Sequence, residues 1–290
     1  MHMTVTGWVY LDGAYIPAQD ATISPFDRGY LFAHAAYEVT AVFNGAFVDF
    51  DQHLARLGRT LDGLEIERPD VDLRSVHQEM LTRNALTEGL IYIQVTSGMQ
   101  GPRDYYGPET LTPSVFSFAT HKQLISDVAR DGITTISYPD TRWSRRDLKT
   151  TQLLTQTLAY RAARRAGTES AILHEDGVVT EAASANLWIV TDDGALVTRD
   201  LSSALLAGIT RARLVSLFSE FETVEERAFT LDELRSAREA FTSSTGVVIA
   251  PVLSVDGTLI GTGVPGPVTR KVQAAYYAYL GADLRAYDWL

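Results

Sequence analysis

The segment Arg142-Trp143-Ser144-Arg145-Arg146-Asp147-Leu148-Lys149-Thr150-Thr151 stands out because it holds one of only three lysines in the chain. The other 22 basic residues are arginines, which stay protonated near neutral pH. A lysine that is buried or placed beside other cations can lose its proton, and the amine can then attack a carbonyl to form a Schiff base. Lys149 follows three arginines and precedes Leu153, Leu154 and Leu158, which we expect to be buried. Lys149 is therefore a candidate nucleophile, and the alternative is a solvated lysine at a helix start.

Composition excludes several classes of function. A length of 290 residues with 46% hydrophobic content suits one large domain or two smaller ones. The net charge of −11 argues against nonspecific binding to nucleic acid or an anionic membrane. The chain has no cysteine, which excludes disulfides, thiolate metal sites and a cysteine nucleophile. No apolar run is long enough to span a bilayer, and residues 1–8 lack a secretory signal pattern, so we expect a cytoplasmic protein.

Turn signals and leucine spacing predict that the first part of the chain is a sheet covered by helices. Asp12-Gly13 and Asn44-Gly45 are strong hairpin turns. Apolar periodicity predicts helices over 53–64 and 73–86 and strands over 90–96 and 114–118. The intervening stretch 97–108 is rich in Gly and Pro and is expected to be a functional loop. We assign residues 1–120 to an N-terminal α/β domain and residues 121–131 to a connector.

Residues 132–290 are expected to form a second, larger domain that carries Lys149. The same criteria predict its elements. Strands are expected over 132–137, 171–173, 187–191, 195–197 and 247–250, and helices over 151–166, 209–220, 231–237 and 267–280.

Three further stretches of this second domain combine residue types that suit a bound ligand. Glu181 lies in a predicted loop with Ser184 and Asn186, where it could be buried and hydrogen-bonded or simply solvated. Gly208 precedes a helix start, where N–H groups can bind phosphate or an ordinary cap can form. A hydroxyl-rich turn follows at Thr242-Ser243-Ser244-Thr245-Gly246. The six histidines show no metal-ligand spacing, so no metal site is expected.

Taken together, the motifs of this chain resemble those of the fold-type IV enzymes that depend on pyridoxal 5'-phosphate. That family includes D-amino-acid, branched-chain and (R)-amine aminotransferases and aminodeoxychorismate lyase. The resemblance runs from about Trp8 to Tyr279. It rests on Phe26-Asp-Arg-Gly-Tyr-Leu-Phe32, Tyr37-Glu-Val39, His53-Leu-Ala-Arg56-Leu57, the Lys149 segment, Glu181-x-x-Ser-x-Asn186, Gly208-Ile-Thr-Arg211 and the Thr245 turn.

The resemblance implies an α+β fold, with a small N-terminal α/β domain and a larger C-terminal pseudo-barrel α/β domain. It implies that Lys149 binds pyridoxal 5'-phosphate as a Schiff base and carries the substrate proton. It implies that Glu181 binds the protonated ring nitrogen and that Leu206 packs on the ring. The phosphate would be held by Arg56, Ile209, Thr210, Ser244 and Thr245. The family also implies a homodimer whose active sites share residues.

Substrate choice depends on the residues that receive a carboxylate. By resemblance to the D-amino-acid branch these are Tyr37 and Arg103, with Arg142 before the lysine, and Tyr105 stands where that branch has histidine. Arg28 is either structural or a second carboxylate ligand. Val264-Pro-Gly-Pro-Val-Thr269 and the aromatic tail look more like (R)-amine aminotransferases.

We therefore expect an aminotransferase that moves the amino group of a D-amino acid, of the D-alanine or D-glutamate type, to a 2-oxo acid, with (R)-primary amines as further donors. The alternatives are an (R)-amine or branched-chain amino-acid aminotransferase and, less favoured, aminodeoxychorismate lyase.

Overall fold

The computed structural model describes residues 7–218 and 223–290. The chain divides into two compact units. The first comprises the chain up to Gln123 together with Leu148–Gln152, and the second comprises Leu124–Asp147 and Leu153–Leu290. The prediction that residues 1–8 are not a secretory signal concerns mainly residues 1–6, which lie outside the described residues.

The first unit is an antiparallel six-stranded sheet in the order β2-β1-β6-β5-β3-β4. Both predicted hairpins are present, with Asp12 and Asn44 in the left-handed conformation that such turns need. Its elements are β1 (Trp8–Leu11), β2 (Ala14–Pro17), α1 (Arg28–Phe32), β3 (Ala35–Phe43), β4 (Ala46–Phe47), α2 (Phe50–Gly63), α3 (Leu73–Arg83), β5 (Gly89–Thr96) and β6 (Ser114–His121).

Alternation along the strands decides which face of this sheet the helices cover. Ile91, Ile93 and Val95 of β5 are fully buried and pack with Leu57 of α2 and Met80 of α3. The intervening residues of β5 are half-buried, so the opposite face of the sheet carries partly exposed side chains.

The second unit is a nine-stranded sheet in the order β12-β11-β10-β13-β14-β7-β8-β9, with β15 beside β14. Its β9 runs directly into β10 and contacts it, so the mixed sheet curls into the half-barrel that was expected. Its elements are α4 (Asp127–Asp131), β7 (Ile133–Pro139), α5 (Leu154–Arg165), β8 (Ser170–Glu175), β9 (Val178–Ala182), β10 (Asn186–Val190), β11 (Leu196–Thr198), α6 (Ile209–Phe218), β12 (Val224–Glu226), α7 (Leu231–Ser236), β13 (Glu239–Ser244), β14 (Val248–Val255), β15 (Thr258–Leu259) and α8 (Pro267–Tyr279).

Some sequence expectations differ from this structure, and one falls partly outside the described residues. Helix α5 begins at Leu154 and not at residue 151. Leu148–Gln152 groups with the first unit, so Lys149 lies in that unit, whereas it was expected in the 132–290 domain. The 121–131 connector contains α4. The end of the 209–220 helix at Ser219 and Glu220 lies outside the described residues.

The leucines after Lys149 do not form a core. Leu154 is 70% exposed and Leu158 is 41% exposed. The core of that part of the second unit instead takes the small residues Ala159 and Ala163 of α5. No helix within the described residues has both the length and the apolar character needed to cross a membrane.

Candidate active site

The Lys149 backbone is attached to the edge of β3. Its carbonyl accepts a hydrogen bond of 3.0 Å from the Tyr37 N–H, and its own N–H donates to Thr60 Oγ1 over 3.3 Å. Thr151 N–H donates to the Ala35 carbonyl, and Thr150 forms a β-bridge with Ala36. The main chain on both sides of Lys149 is therefore held, while its side chain stays half-buried.

The Lys149 amine lies over one ring of a row of stacked aromatic residues in the first unit. Its Nζ lies 4.3 Å from the centroid of the Tyr37 ring, and within the described residues no carboxylate lies within ion-pair distance of it. Tyr37 stacks on Tyr92 at 5.5 Å, and Tyr92 stacks on Phe118 at 4.8 Å. Burial raises the pKa of Tyr92 above its ordinary value, and its hydroxyl donates to Gln94. The amine is thus available for covalent chemistry beside these stacked aromatic rings.

Arg56 is buried and tied to Glu38. Its Nε donates to Glu38 Oε1 over 2.6 Å and one Nη to Oε2 over 2.9 Å. His53 Nδ1 lies 2.8 Å from the same carboxylate. Burial alone would raise the pKa of Glu38, but Arg56 and His53 hold it far below its usual range. The solvated reading of Arg56 is therefore excluded, since only 4% of the residue is exposed.

Glu38→Gln is expected to lower the free energy of unfolding by about 3–5 kcal/mol, since it leaves the buried Arg56 charge uncompensated. Because the folded pKa of Glu38 is depressed, its contribution is present above the ordinary value of 4.5 and is lost as pH falls below it. Denaturant unfolding at pH 7 and at a series of lower values down to about pH 2 measures both effects, because the contribution declines progressively as pH falls toward the depressed pKa of Glu38.

The control is Asp62→Asn, which breaks the exposed ion pair with Arg68 and should cost less than about 1 kcal/mol. Equal losses in the two variants would contradict a special role for the buried pair.

Glu181 lies in strand β9 and not in a loop, because it pairs with Leu173 of β8. The residue is 5% exposed. Its carboxylate accepts hydrogen bonds from Arg142, from Asn186 Nδ2 over 3.3 Å and from the Leu206 N–H over 3.3 Å. Burial raises the pKa of Glu181, and Arg142 opposes that rise. The negative charge of a buried carboxylate that is only partly offset by an arginine can be stabilised further by a cationic group bound beside it.

Arg142 was expected to bind substrate, but the structure gives its guanidinium two protein carboxylates. It donates to both oxygens of Asp140, over 2.9 and 2.6 Å, and to Glu181. The other two arginines of the segment are paired as well, Arg145 with Asp147 and Arg146 with Glu175. The segment therefore presents neutralised arginines and not a positive patch.

The expected phosphate ligands of the second unit lie at two turns. Thr210 is buried in the first turn of α6, where N–H groups lack intrahelical acceptors. Asn186 Nδ2 also donates to the Leu206 carbonyl over 2.9 Å, which fixes the chain just before this helix. Helix α6 packs against β13, which ends at Ser244. The half-buried residues there are Leu206, Ile209, Ser244 and Thr245.

The loop over residues 97–108 is held by Arg28. The guanidinium of Arg28 donates to the Gln100 side chain and to the Asp104 carbonyl over 3.1 Å. Arg103 and Tyr105 are exposed, and Arg103 donates to the Tyr105 hydroxyl over 2.7 Å. Arg28 thus stabilises the loop through these hydrogen bonds, while Arg103 and Tyr105 form a solvent-exposed pair.

Sequence reasoning missed three buried groups that orient the expected site residues. Glu38 stands inside the Tyr37-Glu-Val39 motif and is the partner of Arg56. Asp140 is the partner of Arg142 and accepts from the Thr180 hydroxyl over 2.7 Å. His53 lies one helical turn before Arg56, and that spacing was the available signal.

The residues present suit pyridoxal phosphate. In the first unit, the Lys149 amine has no carboxylate within ion-pair distance among the described residues, and a free amine can form a Schiff base with the cofactor. In the second unit, a buried carboxylate and a helix N-terminus beside hydroxyls are groups of the kinds that bind a pyridinium and a phosphate. Within the described residues no cluster of three His, Asp or Glu side chains is placed to hold a metal ion.

Comparisons with known proteins agree with this chemistry. The sequence profile of the family described as amino-transferase class IV matches residues 35–255. The chain is 34% identical to D-alanine aminotransferase of Bacillus licheniformis over 270 residues, which are 92% of this chain and 95% of that protein. It is 32% identical to D-alanine aminotransferase of Listeria monocytogenes serotype 1/2a (strain 10403S) over 269 residues, covering 91% and 93%.

Solved structures share the fold. The Escherichia coli branched-chain amino acid aminotransferase superposes with a TM-score of 0.87 at 24% identity, covering 98% of each chain. The branched-chain aminotransferase of Thermobaculum terrenum in its PLP form superposes with a TM-score of 0.80 at 21% identity, covering 98% and 97%. The chain therefore belongs to the amino-transferase class IV family and is a pyridoxal-phosphate-dependent aminotransferase.

Proposed function

We propose that this aminotransferase takes the amino group of a D-amino acid, of the D-alanine or D-glutamate type, and passes it to a 2-oxo acid. The observation that carries the proposal is the similarity to D-alanine aminotransferases over more than nine-tenths of the chain. The branched-chain alternative has structural neighbours below 25% identity, which support the fold and not the substrate.

We further propose roles for the residues. Pyridoxal phosphate supplies an electron sink for the pair released when the substrate Cα–H bond breaks. The Lys149 amine would bind the cofactor covalently and, once released by the substrate, carry the proton that leaves the substrate Cα. Glu181 holds the ring nitrogen protonated, and Leu206 packs on the ring. Arg56, the first-turn N–H groups of Ile209 and Thr210, and the hydroxyls of Ser244 and Thr245 bind the phosphate.

A homodimer with shared active sites is part of this proposal. The support is that large apolar and aromatic side chains are exposed in the single chain, namely Leu154 and Leu158 on α5 and Tyr105 in the loop over residues 97–108. We assign Arg103 and Tyr105, together with Tyr37, to the substrate carboxylate. Arg28 is assigned to the loop. The cytoplasmic location expected from the sequence stays a prediction.

Arg103→Ala is expected to lower kcat/KM for D-alanine by about 10- to 100-fold, since a hydrogen bond to a charged group contributes roughly 1.5–3 kcal/mol. Activity on (R)-1-phenylethylamine, the probe for amine donors, should change little because that substrate has no carboxylate. Both rates are measured on the same preparations with a 2-oxo acid acceptor.

Tyr105→Phe serves as the matched variant and should give a smaller loss in the same direction, because it removes only a neutral donor. Equal losses on D-alanine and on the amine would show that Arg103 orders the loop or the dimer. A preference of the unmodified enzyme for L-amino acids would contradict the proposed donor class.

A further inference from the structure

The Glu181 carboxylate is fixed on both of its oxygens. Arg142 Nη1 donates to Oε1, while Asn186 Nδ2 and the Leu206 N–H donate to Oε2, each over 3.3 Å. The Asn186 and Leu206 contacts are neutral donors. Arg142 is therefore the contact that brings positive charge to Glu181.

Arg142 is itself held in place by Asp140. The two side chains form a bidentate pair, with Nε–Oδ1 and Nη2–Oδ2 distances of 2.9 and 2.6 Å. The Thr180 hydroxyl donates to the same Asp140 carboxylate over 2.7 Å. The Arg142 side chain is 7% exposed and the Asp140 side chain is 0% exposed. Such a planar, bidentate pair in a buried position fixes the direction of the remaining guanidinium nitrogen.

The charges around Glu181 act in opposite directions. Burial raises its pKa, Arg142 lowers it, and Asp140 adds a smaller rise. The neighbouring strand β8 places the uncharged Leu173 opposite Glu181. Burial disfavours the ionised form of a glutamate that has no cationic partner. Arg142 is thus the charged group that favours the ionised form of this carboxyl.

We propose that Arg142 is a positioning residue that keeps Glu181 ionised and in one orientation, so that Glu181 can hold the ring nitrogen of the cofactor. The inference rests on the role proposed above for Glu181. By this inference Arg142 acts on the residue that holds the cofactor and does not bind the substrate carboxylate. The reason is that its N–H donors are directed to two buried protein carboxylates, Asp140 and Glu181.

The test compares Arg142→Gln with the unmodified holoenzyme across pH. At pH 7 we expect kcat to fall by about 10- to 100-fold, because without the Arg142 charge burial favours the protonated form of the Glu181 carboxyl, which cannot hold the ring nitrogen protonated. The loss should shrink as pH rises, because Glu181 then ionises without help. The infrared spectrum at pH 7 should show a protonated carboxyl band that disappears in Arg142→Gln/Glu181→Gln.

Three variants complete the design. Arg145→Gln removes the same charge from an exposed pair with Asp147 and should keep the unmodified pH profile and spectrum. Arg142→Lys retains a charge and should restore part of the rate at pH 7. If Arg142→Gln does not fold, Asp140→Asn/Arg142→Gln, which leaves no unpaired aspartate, should show the same recovery at high pH.

The inference is overturned if Arg142→Gln, or the double variant in its place, keeps the unmodified pH profile and shows no protonated carboxyl band while Glu181→Gln is impaired. An unimpaired Glu181→Gln would instead show that the role proposed for Glu181 is wrong, and the inference would fall with it.

Discussion

Lys149→Ala is expected to abolish turnover while the protein stays folded. In its proposed role the amine both binds the cofactor and moves the substrate proton, and general acid–base action alone contributes about 10²–10⁴-fold. The fold should survive because the segment is held to β3 through main-chain hydrogen bonds, which the substitution leaves intact. Turnover with D-alanine and far-ultraviolet circular dichroism are the two measurements.

Lys271→Ala is the matched control for this experiment, since it removes a lysine of α8 that has no proposed role. It should turn over at the unmodified rate. A folded Lys149→Ala enzyme with normal turnover would overturn the assignment of Lys149.

Glu181→Gln is expected to lower kcat by about 10²–10³-fold, the magnitude seen when one preorganised electrostatic contact is removed from a transition state. The amide keeps the shape of the side chain but cannot hold the ring nitrogen protonated, so the electron sink is lost. Cofactor affinity should fall much less. Unlike the loss in Arg142→Gln, this loss should not recover at high pH, because glutamine does not ionise.

The measurement pairs kcat with the dissociation constant of pyridoxal phosphate, obtained by fluorescence titration. A variant that released the cofactor easily but recovered the unmodified kcat in excess cofactor would show that Glu181 binds the cofactor without acting in the reaction.

The sequence predicted secondary structure well where a few neighbouring residues determine it. The hairpins at Asp12-Gly13 and Asn44-Gly45 depend on two turn residues, and the helix over 53–64 depends on leucine spacing. The short helix α1 was missed, since its main signal is the Asp27 cap that accepts from the Gly29 N–H.

Expectations failed where a contact distant in sequence decides the outcome. Lys149 was placed with the second domain, but main-chain bonding to Tyr37 puts it in the first unit. Glu181 was placed in a loop, but pairing with Leu173 makes it part of a strand. Leu154 was expected in a core and is exposed, since the hydrophobicity of a residue alone does not determine whether it is buried.

The sequence predicted which residues belong to the candidate site, but not which buried partners hold them in place. The motifs identified Lys149, Arg56 and Glu181 as candidates through a family resemblance. Their buried partners Glu38 and Asp140 follow from ion pairs that join residues on different elements. Such pairings depend on the folded chain, so no local pattern predicted that Arg142 would face Glu181.

The donor specificity is tested most directly by the absorption spectrum of the purified holoenzyme, without any acceptor, after separate additions of D-alanine, L-leucine and (R)-1-phenylethylamine. A donor that is used converts the bound cofactor to its aminated form and shifts its absorption band. We expect D-alanine to give the complete and fastest shift, with a slower one or none from the amine. A shift with L-leucine and none with D-alanine would contradict the proposed function.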